Sequence, residues 1–400
     1  MTSPALLHTI PSTPERDALA VARQLTEQLA ATAVERDRRG GTPKHERDLL
    51  RQSGLLALAI PKQYGGWGAT WAEVMAVVRR LASVDGSLAH VFGFQHLMLA
   101  TARLFGQPEQ WEPLFEATVQ NSWFWGNALN PLDTRTTLRE SDGSLRLDGH
   151  KSFCSGSVDA DMLIASALRP PNPRLAIVAI PARRAGISVG ADWDNMGQRQ
   201  TDSGSVQFDN VVIQRHELLD EPGPLGSVFA SLRPCIAQLT FANVYLGLAE
   251  GALEQARAYT QSSRRPWLNS GVASASDDPY VLHRYGDMWV QLEAARALTE
   301  RAGEALTTAW AQGDSLTPEG RGRAALAIAA AKVATTRAGL DISSQVFDVM
   351  GARATTAAAG LDRFWRNLRT HTLHDPVDYK LRELGRFALA AELPTPSFYS

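Results

Sequence analysis

A handful of histidine, serine, asparagine and arginine side chains are where this chain could do chemistry. His371 and His374 stand three apart with Asp375 directly after, and His90 lies in an apolar stretch. An imidazole suits proton transfer near neutrality because one ring nitrogen can donate while the other accepts. Two histidines at i, i+3 also open a metal motif. A metal site needs further ligands, however, and no partner set of carboxylates and histidines stands out, so no metal is expected. A lone histidine more commonly serves as a core or surface residue than as a reactive one. Ser155 closes the run Lys151-Ser152-Phe153-Cys154-Ser155, where its hydroxyl could meet a ligand or only satisfy a turn. Asn127 carries both a donor and an acceptor, although an asparagine ahead of Pro131 also makes turns. Cys154 and Cys235 are the only cysteines and lie outside any CxxC, which excludes a disulfide framework or zinc ribbon and suits a reducing compartment. Nothing near Cys154 in sequence marks it as an activated nucleophile.

Several cofactor and nucleophile motifs are missing. There is no G-x-G-x-x-G after a strand, no Walker loop, no G-x-S-x-G elbow and no H-E-x-x-H helix. An enzyme of this kind must grip its cofactor some other way. Forty basic and 42 acidic residues give a net charge of -2 without a basic block, so nucleic acid is not an expected partner. The longest apolar run, Ala324 to Ala331, is eight residues against the roughly 18 that cross a bilayer. With no charged-then-apolar segment from Met1 to Thr9, neither a membrane span nor a secretory leader is expected, and a cytoplasmic location follows.

At 400 residues the chain is long enough for two or three packed domains. The expected fold class is mainly α with a central β domain. Residues 1–118 read as an N-terminal helical domain: Ser12-Thr13-Pro14-Glu15 offers a helix start, Trp71, Val74, Met75 and Val78 form a helical stripe, and Leu88 to Phe105 continues as an apolar helix. Residues 119–221 read as a middle β-barrel or sandwich, with short runs at Ser144–Asp148, Lys151–Cys154, Met162–Ala167, Leu175–Ile180, Gly186–Val189 and Ser205–Ile213. Residues 222–400 read as a C-terminal four-helix bundle with a tail, its helices at about 223–262, 278–312, 317–350 and 376–391.

Specific segments sharpen this layout. Ile60-Pro61-Lys62-Gln63-Tyr64-Gly65-Gly66, Leu147-Asp148-Gly149-His150-Lys151-Ser152-Phe153-Cys154-Ser155-Gly156 and Thr201-Asp202-Ser203-Gly204-Ser205-Val206 resemble signatures of the acyl-CoA dehydrogenase superfamily. The dehydrogenases of that family remove an α-proton with a glutamate. Where most of them carry this base the chain has His374, and no Asp or Glu occurs from Pro222 to Ala249, the other location. Asp375 or Asp378 could substitute, so the missing base argues against dehydrogenation and leaves it open. A second set of segments is similar to the flavin-dependent monooxygenase branch of the same superfamily, typified by dibenzothiophene monooxygenases. It comprises Ser87 to Phe94, Phe124-Trp125-Gly126-Asn127-Ala128, Arg265-Pro266-Trp267, Gly351-Ala352-Arg353 and the run from Asp362 to Pro376.

That resemblance implies reduced FMN supplied by a separate NAD(P)H:FMN reductase, reacting with O2 to a C4a-hydroperoxide that oxygenates the sulfur of a small, aromatic thiophene or sulfide to sulfoxide and sulfone. It also implies roles. His90, His371 and His374 would line the peroxide pocket, Ser155 would face flavin N5, and Asn127 would read the ring or the peroxide. Asn127, Ala128, Leu129, Asn130, Pro131 and Leu132 would form one wall and part of a mobile lid, Phe94 would lie near the flavin or substrate, and the strand Lys151, Ser152, Phe153, Cys154 and Ser155 would pass the ring. Arg265 and Arg353, with Ala352, would hold the phosphate. Phe94 stands where a tyrosine is expected, so the substrate can differ from dibenzothiophene. Open alternatives are oxygenation of an amine nitrogen, an indole carbon or a small sulfinate; an FAD-dependent acyl-CoA dehydrogenase; and a silent scaffold. Kinship further implies a homotetramer.

Overall fold

A computed structural model describes residues 17–141, 143–171, 174–262 and 265–400. The helix start anticipated at Ser12 to Glu15 lies outside the described residues. Five helices come first: α1 Ala18–Arg39, α2 Lys44–Gln52, α3 Trp71–Ala82, α4 Gly86–Phe105 and α5 Pro108–Asn121. Thr70 and Glu73 close a capping box on α3, and Trp71, Val74, Met75 and Val78 are buried along it. In α4 every residue except Arg103 is buried, as expected of a helix apolar on all sides.

Seven strands follow, β1 Trp125–Ala128, β2 Thr137–Ser141, β3 Ser144–Lys151, β4 Met162–Arg169, β5 Arg174–Pro181, β6 Ile187–Val189 and β7 Val206–Ile213. Their order is β1-β4-β2-β3-β7-β6, with β5 on β4 as a branch. β4 therefore pairs three neighbours, and the sheet curls around a core of Leu138, Leu147, Leu163, Val178, Phe208 and Val211. The expected strand at Lys151–Cys154 is not one. β3 ends at Lys151, and Phe153 takes φ +61°, turning the chain out of the ladder.

The remaining helices are α6 Arg233–Ser262, α7 Pro279–Ala311, α8 Pro318–Met350, α9 Asp362–His371 and α10 Val377–Ala390. The first three pack side by side, α10 lies on α8, and α3 and α4 pack on α6. One apolar cluster runs from Leu25 of α1 through Phe92 of α4 and Leu239 of α6 to Phe364 of α9, so the first and last helical parts share a core. α9 is short and leads directly into the candidate site. Among the described residues no helix is long and apolar enough to cross a membrane.

Candidate functional site

α4, α6 and α9 bring three histidines around one phenylalanine. The Phe241 ring lies 4.7 Å from that of His371, 4.6 Å from that of His374 and 6.2 Å from that of His90, and His90 and His371 are 4.7 Å apart. From His90 a chain of hydroxyls leads away: His90 Nε2 to Ser155 Oγ at 2.9 Å, Ser155 Oγ to Ser203 Oγ at 2.8 Å, and Ser203 Oγ to Thr201 Oγ1 at 2.7 Å. The chain ends on the backbone carbonyl of Gln198, 3.0 Å from Thr201 Oγ1.

A carbonyl only accepts, and each hydroxyl has one proton, so that terminus orients the whole series. Thr201 donates to Gln198, Ser203 to Thr201, Ser155 to Ser203, and His90 donates from Nε2 to Ser155. His90 Nδ1 is then an acceptor, and it is buried without a partner. Burial, and then the nearby His374, push the His90 pKa down to about 3. Burial chiefly, then His90, His374 and Lys332, likewise hold His371 well below the ordinary histidine range. Both are neutral at pH 7.

A second polar series stands behind His374. Its Nδ1 is 3.0 Å from Asp375 Oδ1, which also accepts from Lys332 Nζ at 3.2 Å, and Lys332 donates to Gln238 Oε1 at 2.9 Å. Burial pushes the Asp375 carboxyl up, but the hydrogen bond from His374 and the Lys332 charge outweigh it and hold the group well below its usual range. Burial lowers Lys332 to about 8 against the pull of Asp375. Asp375 is thus a buried anion orienting His374. Because an ionised carboxylate only accepts, His374 donates from Nδ1 and its Nε2 is left for the cavity.

His90, His371, His374, Ser155, Ser203, Thr201 and Gln238 line a cavity of about 580 Å³ together with Phe94, Leu97, Phe153, Trp193, Phe241, Phe398 and Tyr399, with Asp375 and Lys332 behind that wall. Of the wall expected from sequence, Asn127, Leu129, Asn130, Pro131 and Leu132 line it. Lys151 reaches the wall from behind, its Nζ donating to the carbonyls of Asn130 (3.0 Å) and Asp133. Ala128, Lys151, Ser152 and Cys154 do not line the cavity. Cys154 sits in the sheet core, where burial pushes its thiol up to about 12, and Ser152 is held by Arg135 at 2.7 Å. Arg265, Ala352 and Arg353 are exposed and also lie outside the lining.

Several lining or supporting residues had no assigned role in the sequence. Thr201 and Ser203 fall in a quoted signature run but carried no role there. Lys332 is the only charge between Arg323 and Arg337, a signal that a cation is buried for a purpose. Arg233 and Tyr399 gave none.

The site suits a flat ring system with polar edges. Phe153, Trp193 and Leu129 offer apolar walls, and Asn127 and Ser155 offer hydrogen-bonding edges. No carboxylate lines the cavity among the described residues. Asp378 is exposed and Asp375 is committed to Lys332, so neither substitutes for a dehydrogenase base.

Models of acyl-CoA dehydrogenase domains match in order: N-terminal at 14–120, middle at 126–211 and C-terminal at 239–379. A probable FMNH2-dependent monooxygenase, SfnC of Pseudomonas putida, is 59% identical over 97% of this chain and 99% of the relative. A dibenzothiophene monooxygenase of Rhodococcus erythropolis is 44% identical over 96% of each. The solved methanesulfinate monooxygenase MsuC of Pseudomonas fluorescens superposes with a TM-score of 0.95 at 59% identity, covering 96% of this chain and 100% of that one. The chain belongs to the acyl-CoA dehydrogenase family and, within it, to the branch that holds these flavin-dependent monooxygenases.

Proposed function

We propose that this protein is a two-component monooxygenase that takes reduced FMN from a separate NAD(P)H:FMN reductase and oxygenates sulfur in a small organic substrate. The observation that carries the reading is a cavity holding two oriented imidazoles, His90 and His374, and a hydroxyl relay, with no carboxylate base among its described lining residues. Bound reduced FMN supplies two electrons and activates dioxygen; one oxygen atom goes to sulfur, the other leaves as water, and the flavin departs oxidised.

The protein's part is to bind, orient and move protons. Ser155 Oγ accepts from His90 and donates to Ser203, which leaves one lone pair for a donor on the ring. His374 Nε2, left free by the bond from Nδ1 to Asp375, is the group that would hold and return the proton of the departing oxygen. Aromatic walls exclude water from it. Arg265 and Arg353 suit the FMN phosphate through their guanidinium forks. Since neither lines the cavity of its own chain, we assign them to the cavity of a neighbouring copy in a homotetramer.

A thiophene or sulfide taken to sulfoxide and sulfone is the first substrate reading. A small sulfinate taken to sulfonate is the second, favoured by the higher identity to the sulfinate enzyme than to the dibenzothiophene enzyme. The test mixes the protein anaerobically with reduced FMN, then adds 18O2 with dibenzothiophene, methyl phenyl sulfide or methanesulfinate. Label in the sulfoxide, sulfone or sulfonate is expected. Absence of label with all three, together with oxidation of butyryl-CoA by a dye acceptor, would overturn the reading in favour of a dehydrogenase.

A further inference from the structure

The cavity has a cationic end that the proposed oxygenation does not use. Arg233 opens α6, and its Nε donates to Thr101 Oγ1 at 2.9 Å. Thr101 spends its own proton on the Leu97 carbonyl at 2.7 Å, so its hydroxyl must accept from Arg233 and fixes how the guanidinium points. Arg233 lines the cavity. Its two terminal nitrogens make no hydrogen bond or ion pair among the described residues.

Arg321 and Arg363 are likewise enclosed without a side-chain carboxylate partner, but a carbonyl oxygen takes up a terminal nitrogen of each and the Ser231 hydroxyl takes Arg321 Nε, and three further arginines meet carboxylates. Arg36 meets Glu46 and Asp85, Arg47 meets Asp159 and Asp202, and Arg366 meets Asp37. Burial, the larger effect, lowers the Arg233 pKa to about 10, and among the described residues only the Tyr399 phenol draws it upward, so it stays charged at neutral pH. A charge held in a poorly solvated cavity without a counterion is costly unless an anion arrives. A bidentate fork with both ends free is the geometry that takes the paired oxygens of an oxyacid.

We infer that this end of the cavity is an anion subsite, at which Arg233 takes the oxyanion of an organosulfur acid. The inference deepens the sulfur-oxygenating reading above and rests on it for the word organosulfur. Thr101 follows His90 by eleven residues on α4, about 16 Å along the helix, so the subsite and the hydroxyl relay occupy opposite ends. Leu97, Ala237 and Phe241 make the stretch between them apolar. A neutral thiophene would leave the charge uncompensated. A sulfide whose far end carries a sulfonate or carboxylate would not, and could still present its sulfur to the relay.

The experiment is calorimetric binding without flavin, using methanesulfonate and hexanesulfonate as probes and 1-hexanol as the uncharged control. Arg233→Gln should weaken both sulfonates, or whichever one reaches the subsite, at least tenfold and leave hexanol unchanged. Arg233→Lys, which keeps the charge and loses the fork, should recover part of the affinity. Stronger dependence with hexanesulfonate is expected of an acid whose chain spans the apolar stretch; dependence confined to methanesulfonate would overturn the assignment to a substrate, because a one-carbon acid at Arg233 leaves its sulfur far from the relay. Equal dissociation constants for both sulfonates in wild type and Arg233→Gln, or no sulfonate binding by wild type, would overturn the subsite. Should Arg233→Gln fail to fold, Arg233→Lys decides alone, with unchanged sulfonate affinity counting against the fork. Because no turnover is involved, Arg233-dependent binding without 18O incorporation would sink the monooxygenase reading and leave the subsite standing.

Discussion

Gln198 contributes only a backbone carbonyl, yet that carbonyl fixes the tautomer of His90 four groups away. Ser203 is the link that can be cut with least disturbance to packing. Ser203→Ala removes the acceptor of Ser155 and frees its hydroxyl to rotate, so His90 is no longer held with its proton on Nε2. A buried hydrogen bond left unmade costs about 1–3 kcal/mol, and product formed per oxygen consumed should fall about tenfold. The check is twofold: product against oxygen uptake, and the ring 15N shifts of His90, which should move from a single Nε2–H tautomer toward a mixture. An unchanged tautomer would remove the relay's role. The neutral histidines also set an acid limit. Folding favours unprotonated His90 and His371, so the unfolded chain binds more protons as pH falls below 6.5. Stability is therefore full above pH 6.5 and lost on acidification toward about 3, the folded value for His90, at about 1.4 kcal/mol per pH unit for each histidine. Urea midpoints from pH 7 to 4 should trace that slope, and His90→Gln should remove one proton's share of it. His90, Ser155 and His374 were legible in the sequence because their neighbours form recognisable runs. Arg233 was not, and for Lys332 only its burial was, from its isolation between Arg323 and Arg337, because a cation's role depends on which acids face it across other helices.

α9 explains why the run from Asp362 to Pro376 is so distinctive. Arg366 ties Asp37, Asp362 and the Met196 carbonyl together, and Asn367 Oδ1 accepts the Gln198 amide at 2.6 Å. The helix thus clamps the 195–198 loop whose Gln198 carbonyl anchors the relay, while its last turn delivers His371. The approach is so close that a Cβ on Gly197 would stand 2.1 Å from the Arg366 carbonyl oxygen. Gly197→Ala must therefore push the loop off α9, at a cost of about 1–3 kcal/mol from overpacking. It should lower the melting temperature and uncouple oxygen use from product as Ser203→Ala does. Asn367→Ala should do the same more mildly, leaving the Gln198 amide unpaired. Stability loss without uncoupling would limit α9 to a structural part. No helix was expected at 362–371, because its charged and aromatic residues carried the motif and hid a ten-residue amphipathic pattern. β1 escaped for another reason. All four of its residues are buried, pairing in parallel with β4, so it lacks the alternation that reveals a half-exposed strand.

At the scale of the whole chain, the order helices, curled sheet, helices was legible because each part has its own hydrophobic period. What the periods could not convey is that α1 to α5 and α6 to α9 share a core, which places the cavity between them against the sheet. Surfaces left uncovered by that core bear on the proposed assembly. On α7, Tyr280, Leu282, Trp289 and Val290 are 80%, 56%, 58% and 61% exposed, and Leu282 and Trp289, seven residues apart, share one face of the helix. Large apolar side chains grouped on a long helix are the usual mark of a covered surface, and a second copy of this chain is the occupant the proposal requires. It would also supply what the single chain's cavity lacks, since Arg265 and Arg353 are outside its lining. Trp289→Arg places a charge in the centre of that face. It should break the assembly into smaller species by sedimentation velocity and weaken reduced FMN at least tenfold, because the phosphate arginines would leave with the neighbour. If the assembly breaks while FMN affinity holds, those arginines are not phosphate ligands contributed across the interface. A wild type that sediments as a monomer would refute the tetramer itself and, with it, the assignment of Arg265 and Arg353 to a neighbouring site.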